Sequence, residues 1–285
     1  LLHSSARKLP YNESRRRFIK IVFDVTMLIL LASYFLSGLF GGLEKPKLKA
    51  VKVKVRGKIR NFKIAQLSDV HIGRAINREF VEDLVSRINE QKVDMVALTG
   101  DLIDQELAFI KSALEPLKGL KSTYGTFFVS GNHEYFHNAS EIIAYLKEMG
   151  IYVLDNRSML IGEGEQRINI AGMNDIISKR IGVLEYDVEK TFEGVDPEYP
   201  TLFLSHQPKS VKVTKNMPYD LMLSGHTHGG QIFPFGLLVL LDQPYLAGLY
   251  DIDKNKQIYV RRGTGYWGPP IRVFAPSEIT ILTLN

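Results

Sequence analysis

Phe62-Lys63-Ile64-Ala65-Gln66-Leu67 is followed at once by Ser68-Asp69-Val70-His71. A run this short and apolar does not suit an amphipathic helix; it suits a strand buried on both faces. The residues that end it are metal-ligating and acid–base types. The pattern then recurs along the chain. Apolar runs at 93–98, 125–129, 201–204 and 221–223 end in Gly100-Asp101-Leu102-Ile103-Asp104, Gly131-Asn132-His133-Glu134, Ser205-His206 and Gly225-His226-Thr227-His228. Helical periodicity at 78–89, 106–117 and 140–148 follows each of the first three runs, which predicts strand–helix–strand units and an α/β sheet. Segments 167–171, 257–261 and 278–284 read as further strands, expected to complete a second sheet. In α/β sheets ligands collect outside the carboxyl ends of the strands, where these polar residues fall.

The chain has 285 residues, 45% hydrophobic and 24% charged, a globular mixture long enough for one large domain or two ordinary ones. Cysteine is absent, which excludes disulfides, thiolate-held metals and thiol nucleophiles. Any metal must be held by His, Asp, Glu or Asn. The net charge of +5 is unevenly placed: the first sixty residues carry +11 and the remainder −6. A nucleic-acid binder would more often have a basic body, so no nucleic-acid partner is expected.

Residues 25–43 contain no charge and as a helix would reach about 28 Å, close to the hydrocarbon thickness of a bilayer. They predict a transmembrane anchor over 21–43. Before it, 1–20 form a basic cytoplasmic flank in which Arg15-Arg16-Arg17-Phe18 resembles a twin-arginine export signal; an ordinary basic flank reads equally well. The chain opens with Leu1 rather than Met, so an upstream portion with further spans is allowed for. No small-x-small cleavage site is visible, so the anchor is read as uncleaved. Residues 44–50 are expected as a linker and 51–285 as the catalytic domain, placed on the extracytoplasmic side if the export signal holds. Val51-Lys52-Val53-Lys54-Val55-Arg56 alternates as a half-exposed strand does.

Oxygen and imidazole donors from five strand-end loops suit divalent ions such as Mn²⁺, Fe²⁺ or Zn²⁺. In Asp69/His71 and His226/His228, residues two apart leave the backbone on one side and can face one ion. Of the seven histidines only His3 and His137 fall outside these loops. Competing chemistry lacks support: there is no phosphate-binding G-x-x-x-x-G-K-[ST] loop and no G-x-G-x-x-G after a strand. The adjacent Ser205-His206 is not a serine-hydrolase arrangement.

The ordered set D-x-H, G-D-x-x-D, G-N-H-E, a lone His and G-H-x-H resembles the calcineurin-like metallophosphoesterases over about 63–230. With the N-terminal span, it is similar to a membrane-associated bacterial branch containing exported phosphodiesterases and UDP-2,3-diacylglucosamine pyrophosphatases. The resemblance implies a four-layer α/β/β/α sandwich with two divalent ions, Mn²⁺ first among candidates. It implies Asp69, His71 and His228 at one ion, Asn132, His206 and His226 at the other, and Asp101 bridging both. It also implies hydrolysis by a metal-bridging hydroxide, with no protein nucleophile. His133 is the candidate for stabilising charge on phosphoryl oxygens and protonating the leaving oxygen, or else a structural imidazole. Asp104 and Glu134 are placed behind the ligands, orienting imidazoles, with Glu134 alternatively exposed.

The apolar stretch 232–241 follows the last ligand pair. It is either an exposed surface for bilayer or acyl chains, or a packed loop and strand. Tyr266-Trp267 and Pro269-Pro270 suit a pocket wall or the core, and Arg261, Arg262 and Arg272 could meet a substrate phosphate or solvent. The sequence thus reads as an anchored dinuclear phosphoesterase acting on a phosphodiester or pyrophosphate, in a phosphorylated small molecule or lipid such as UDP-2,3-diacylglucosamine. A nucleotide phosphodiesterase or nuclease is the alternative within enzymes, and a metal-dependent scaffold or sensor the alternative outside them.

Overall fold

The computed structural model describes residues 12–285. Arg7 and Lys8 of the expected basic flank lie outside the described residues. Helix α1 (Glu13–Leu43) opens at Asn12, whose side chain accepts from the Arg15 N–H. Its 31 residues reach about 46 Å, more than the ~30 Å of a hydrocarbon core. The segment expected to span is therefore part of one longer helix, and its most apolar window is unburied.

Two six-stranded sheets follow. The first contains β1 (Lys47–Val53), β2 (Phe62–Leu67), β3 (Met95–Thr99), β4 (Thr126–Val129), β5 (Tyr152–Val153) and β12 (Glu278–Leu284), in the order β1-β12-β2-β3-β4-β5. The second contains β6 (Arg157–Ile161), β7 (Ile168–Gly172), β8 (Thr201–Leu204), β9 (Leu221–Ser224), β10 (Gly248–Asp251) and β11 (Gln257–Val260), in the order β10-β11-β9-β8-β7-β6. The helices are α2 (Arg78–Asn89), α3 (Leu107–Leu114), α4 (Asn132–Phe136), α5 (Ala139–Glu148), α6 (Ser178–Ile181), α7 (Val188–Phe192) and α8 (Gly236–Asp242).

Three expectations need correction. The last strand, β12, belongs to the first sheet rather than the second, antiparallel to β2 and parallel to β1. Its alternation announces a strand but not its neighbours. Residues 44–50 are not all linker: β1 begins at Lys47, registered opposite Glu278. The helix expected over 106–117 ends at Leu114 and tightens into a 3₁₀ turn over Glu115–Gly119, since Pro116 has no N–H to continue the α ladder.

The period of two along each strand builds the layers. Phe62, Ile64, Met95, Ala97, Phe127 and Val129 of the first sheet face Ile168, Ile170, Leu202, Leu204, Leu221, Leu223 and Tyr259 of the second in one buried cluster. The alternate residues Ala65, Leu67, Val96, Leu98 and Phe128 pack outward against Val81, Leu84 and Ile88 of α2, Ile110 of α3 and Ile142 of α5. Phe203, Met222, Ile258 and Val260 turn the other way, onto Phe192 of α7 and Tyr219. The result is an α/β/β/α sandwich.

Helix α1 packs on this body through glycines. Gly38 and Gly42 are buried, and a Cβ at Gly38 would stand 2.7 Å from Ile271 Cγ2 and 2.8 Å from Val273 Cγ2. The Arg272 N–H donates to the Gly38 carbonyl at 2.8 Å, and the Tyr34 hydroxyl donates to the Phe233 carbonyl.

The sheets approach closely at Gly172, where an added Cβ would lie 2.8 Å from Val129 Cγ1 and also meet Leu154. Gly172→Leu is expected to lower stability by about 1–3 kcal/mol through overpacking. A urea midpoint unchanged by the substitution would show that the layers have room there.

Candidate metal centre

The parallel strands β2, β3 and β4 of one sheet, and β8 and β9 of the other, deliver their carboxyl ends to one edge of the sandwich. Asp69 and His71 follow β2, Asp101 follows β3, Asn132 and His133 open α4 after β4, His206 follows β8, and His226 and His228 follow β9. All five of Asp69, His71, Asp101, His226 and His228 have positive φ, between 50° and 70°. A left-handed backbone in a non-glycine residue is sparsely populated and persists where surrounding contacts over-determine it. The loops between ligand positions are drawn together at Gly100, with φ of 82°. A Cβ there would stand 2.6 Å from both the Gly131 nitrogen and His206 Nδ1.

The donor atoms converge in groups. Asp69, His71 and His228 each offer a ligand atom within 4.8 Å of the others, as do Asp101, His206 and His226. His71 Nε2 and His228 Nε2 stand 3.0 Å apart, and His206 Nε2 lies 3.1 Å from Asp101 Oδ2 and 3.2 Å from His226 Nδ1. Nitrogens in neighbouring positions about one ion, at roughly 2.1 Å each, stand about 3 Å apart. Asp101 also groups with His71 and His133, so its carboxylate lies between the two clusters. Asn132 adds a buried Oδ1 with no hydrogen-bond partner. An orphaned amide oxygen beside two carboxylates and four imidazoles is a donor set that fits divalent cations.

The groups behind the donors fix their direction. Asp104 Oδ1 lies 2.8 Å from His71 Nδ1 and 2.5 Å from His133 Nδ1, leaving both Nε2 atoms facing inward. His206 Nδ1 is 2.8 Å from the Thr99 carbonyl. Glu134 behaves differently from expectation: it is 0% exposed and its hydrogen bonds go to main-chain N–H groups. Its carboxylate accepts the backbone N–H groups of Gly131 at 2.6 Å, Leu102 at 2.7 Å and Asp101 at 3.1 Å. It therefore ties two ligand loops together through their main chains. Arg272 and Arg261 are buried rather than facing solvent; Arg272 donates to the Gly265 and Ala275 carbonyls and lies 3.2 Å from His228 Nδ1. Sequence reasoning had no signal for that contact, because 44 residues separate the pair.

The electrostatics favour cations here. Burial would push the Asp101 carboxyl up, but the charge and hydrogen bond of His206, then His133 and His71, hold it well below the usual range. Burial, then the neighbouring His206, push His226 down to about 3, and burial with His71 lowers His228 well below its ordinary value. His226 and His228 are thus held in the neutral form that ligates a metal, whereas at His206 the charge and hydrogen bond of Asp101 outweigh burial and raise the pKa well above its ordinary value. For His133, burial is outweighed by the Asp104 hydrogen bond and the Asp101 charge, so its pKa rises. Hydrogen bonds from His133 and His71 outweigh burial at Asp104 and take it to about 2.

A cavity of about 500 Å³ opens over the donors. It is lined by the donor-bearing residues His71, Asp101, Asn132, His133, His226 and His228 and also by the apolar Ile232, Phe235, Val239, Trp267 and Pro269, with Gln231, Asp242 and Gln243 among them. The Gln231 amide holds the Trp267 backbone from both ends, donating to its carbonyl at 2.8 Å and accepting its N–H at 3.0 Å. The stretch 232–241 is not packed core: Leu237, Leu238 and Leu241 are exposed on α8.

Comparison with known proteins agrees with this architecture. The family described as calcineurin-like phosphoesterase matches residues 62–230. A metallophosphoesterase of Helicobacter pylori is 41% identical over 98% of this chain and 75% of its own length. One of Aquifex aeolicus is 32% identical over 90% of this chain and 97% of its own length. A Bos taurus protein named as a transmembrane protein with metallophosphoesterase domain is 36% identical over 87% of this chain, which spans 59% of that protein.

Glu134→Gln replaces one carboxylate oxygen with an N–H₂ that faces backbone donors. It is expected to lower stability by about 2–3 kcal/mol and to loosen metal retention. Thermal unfolding of metal-loaded and chelator-treated protein measures both; an unshifted midpoint in each would remove the tie assigned to Glu134.

Proposed function

As the chain belongs to the calcineurin-like phosphoesterase family, we propose that it hydrolyses a phosphodiester or pyrophosphate in a lipid-linked substrate, of the kind UDP-2,3-diacylglucosamine represents, at a membrane surface. It is a metal-dependent phosphoric ester hydrolase with a dinuclear centre. The observation that carries the finer reading is that one cavity is lined both by metal donors and by the apolar Ile232, Phe235, Val239 and Trp267. A phosphate group and an apolar tail would each find a matching surface.

Asp69, His71 and His228 would hold one ion, Asn132, His206 and His226 the other, with Asp101 between them, and Mn²⁺ suits this oxygen and nitrogen set. When bound, two such ions supply Lewis acidity toward phosphoryl oxygens and lower the pKa of water. The chain's own groups then have distinct tasks. Asp101, kept ionised, offsets positive charge at the centre. His133 faces the cavity with its Nδ1 held by Asp104, a contact that outweighs burial and favours its protonated form. An oxygen departing from phosphorus needs a proton, and His133 is positioned to give it. Ile232, Phe235 and Trp267 offer apolar surface to the same cavity.

Helix α1 supports a membrane setting by its length and hydropathy of 2.0. Arg15, Arg16 and Arg17 at its start favour a cytoplasmic N-terminus and an extracytoplasmic cleft. The later basic residues weigh less, because Lys47, Lys49 and Lys52 lie in strand β1.

The full chain in detergent should release phenol from a chromogenic diester when Mn²⁺ is supplied and stop when it is chelated. Asp101→Asn and His226→Ala are expected to lose turnover together with bound metal. His133→Ala should lose about 10²–10⁴-fold in kcat while retaining metal by elemental analysis. Equal metal depletion in all three would contradict the proton-donor role of His133.

A further inference from the structure

The exposed large apolar side chains of the folded body are mostly scattered singly, but one group is continuous. Phe233, Leu237, Leu238, Leu241 and Phe274 stand together beside the cavity, with Leu241 84% and Phe274 83% exposed. The Phe233 and Phe274 rings meet edge to face at 5.8 Å, and Phe233 N–H donates to the Val273 carbonyl. The seven-residue α8 presents Val239 to the cavity and Leu237, Leu238 and Leu241 outward. An apolar surface of this kind on a soluble body marks an interaction site.

Its occupant is indicated by what lies next to it. The last ten residues of α1, 34–43, about 14 Å of helix, touch the two segments that carry Phe233 and Phe274: the Tyr34 hydroxyl donates to the Phe233 carbonyl, and Gly38, Gly41 and Gly42 lie against 270–273. Those ten residues belong to the charge-free stretch, and their free side exposes Phe35, Leu36, Phe40 and Leu43. An apolar medium covering these side chains would meet Phe233 and Phe274 on the adjoining segments. We propose that the face formed by α8, Phe233 and Phe274 seats in the same lipid bilayer that receives α1, so that the cavity mouth opens onto the lipid surface. A substrate then reaches the metal donors from the membrane without its apolar part crossing water. This rests on reading α1 as a membrane span and extends the lipid-linked reading of the site.

Because the chain has no cysteine, single substitutions place a fluorophore without ambiguity. Leu241→Cys, Phe274→Cys, Phe35→Cys and Glu163→Cys would be labelled in the full chain and reconstituted in phosphatidylcholine–phosphatidylglycerol vesicles containing doxyl lipids. Labels at 241 and 274 should be quenched as the one at 35 is, and the one at 163 should not. Quenching at 35 with 241 and 274 matching 163 overturns the docking face and leaves the span intact; no quenching at 35 removes the span and the inference together. In a second arm, Leu237→Asp with Leu241→Asp should leave turnover of the soluble diester unchanged. It should cut turnover of a diacyl pyrophosphate held in vesicles about ten-fold or more. Equal rates on the vesicle substrate, or an equal fall on both, would overturn the proposal. A wild-type chain inactive on the soluble diester would refute the hydrolase reading without touching the quenching result.

Discussion

Asp101 is where the loops of the two sheets meet. Its N–H is taken by Glu134, its carbonyl accepts from His71 N–H, and one carboxylate oxygen accepts from His133 N–H. The other carboxylate oxygen lies against His206 from the opposite sheet. One residue is thereby fixed from four directions, in a left-handed backbone that costs about 1–3 kcal/mol to hold. A second bond across the sheets runs from the His226 N–H to Asp69 Oδ1 at 2.8 Å. The sandwich is thus a device for bringing two sets of strand ends to one edge and keeping them in register.

Much of this was legible in the sequence because its signals are local. The alternation of Phe62, Ile64 against Ala65, Leu67 tells which faces are buried, and a strand's end tells where its polar residues must emerge. The emergence of these side chains at strand ends could be read for that reason, and donor atoms of Asp69, His71 and His228, and of Asp101, His206 and His226, lie within 4.8 Å of one another. What could not be read depends on distant partners. The place of β12 between β1 and β2 is set by pairing across more than two hundred residues of chain. Glu134 is a buried tie for main-chain donors, a role that residue type and spacing do not distinguish from an exposed carboxylate. The division of 232–241 into a cavity wall and an exposed face needed the fold itself, since every residue in it but Pro234 and Gly236 is large and apolar.

The site combines two kinds of environment in a small volume. On one side, negative charge from Asp69, Asp101 and Asp104 is balanced by imidazoles, two of which burial keeps neutral. On the other, the Gln231 amide holds the Trp267 main chain by two hydrogen bonds. Polar clamps of this sort place an apolar surface with hydrogen-bond accuracy, and Arg272 does the same for the loop behind His228.

The glycine contact between α1 and the body has a mechanical meaning. Gly38 receives the methyl groups of Ile271 and Val273, Gly42 stands against the Pro270 main chain, and a main-chain hydrogen bond locks helix and segment in phase. A domain on a loose leash tumbles and samples every attitude. This one is welded to its mast, so whatever orients the helix also sets the azimuth and pitch of the cleft.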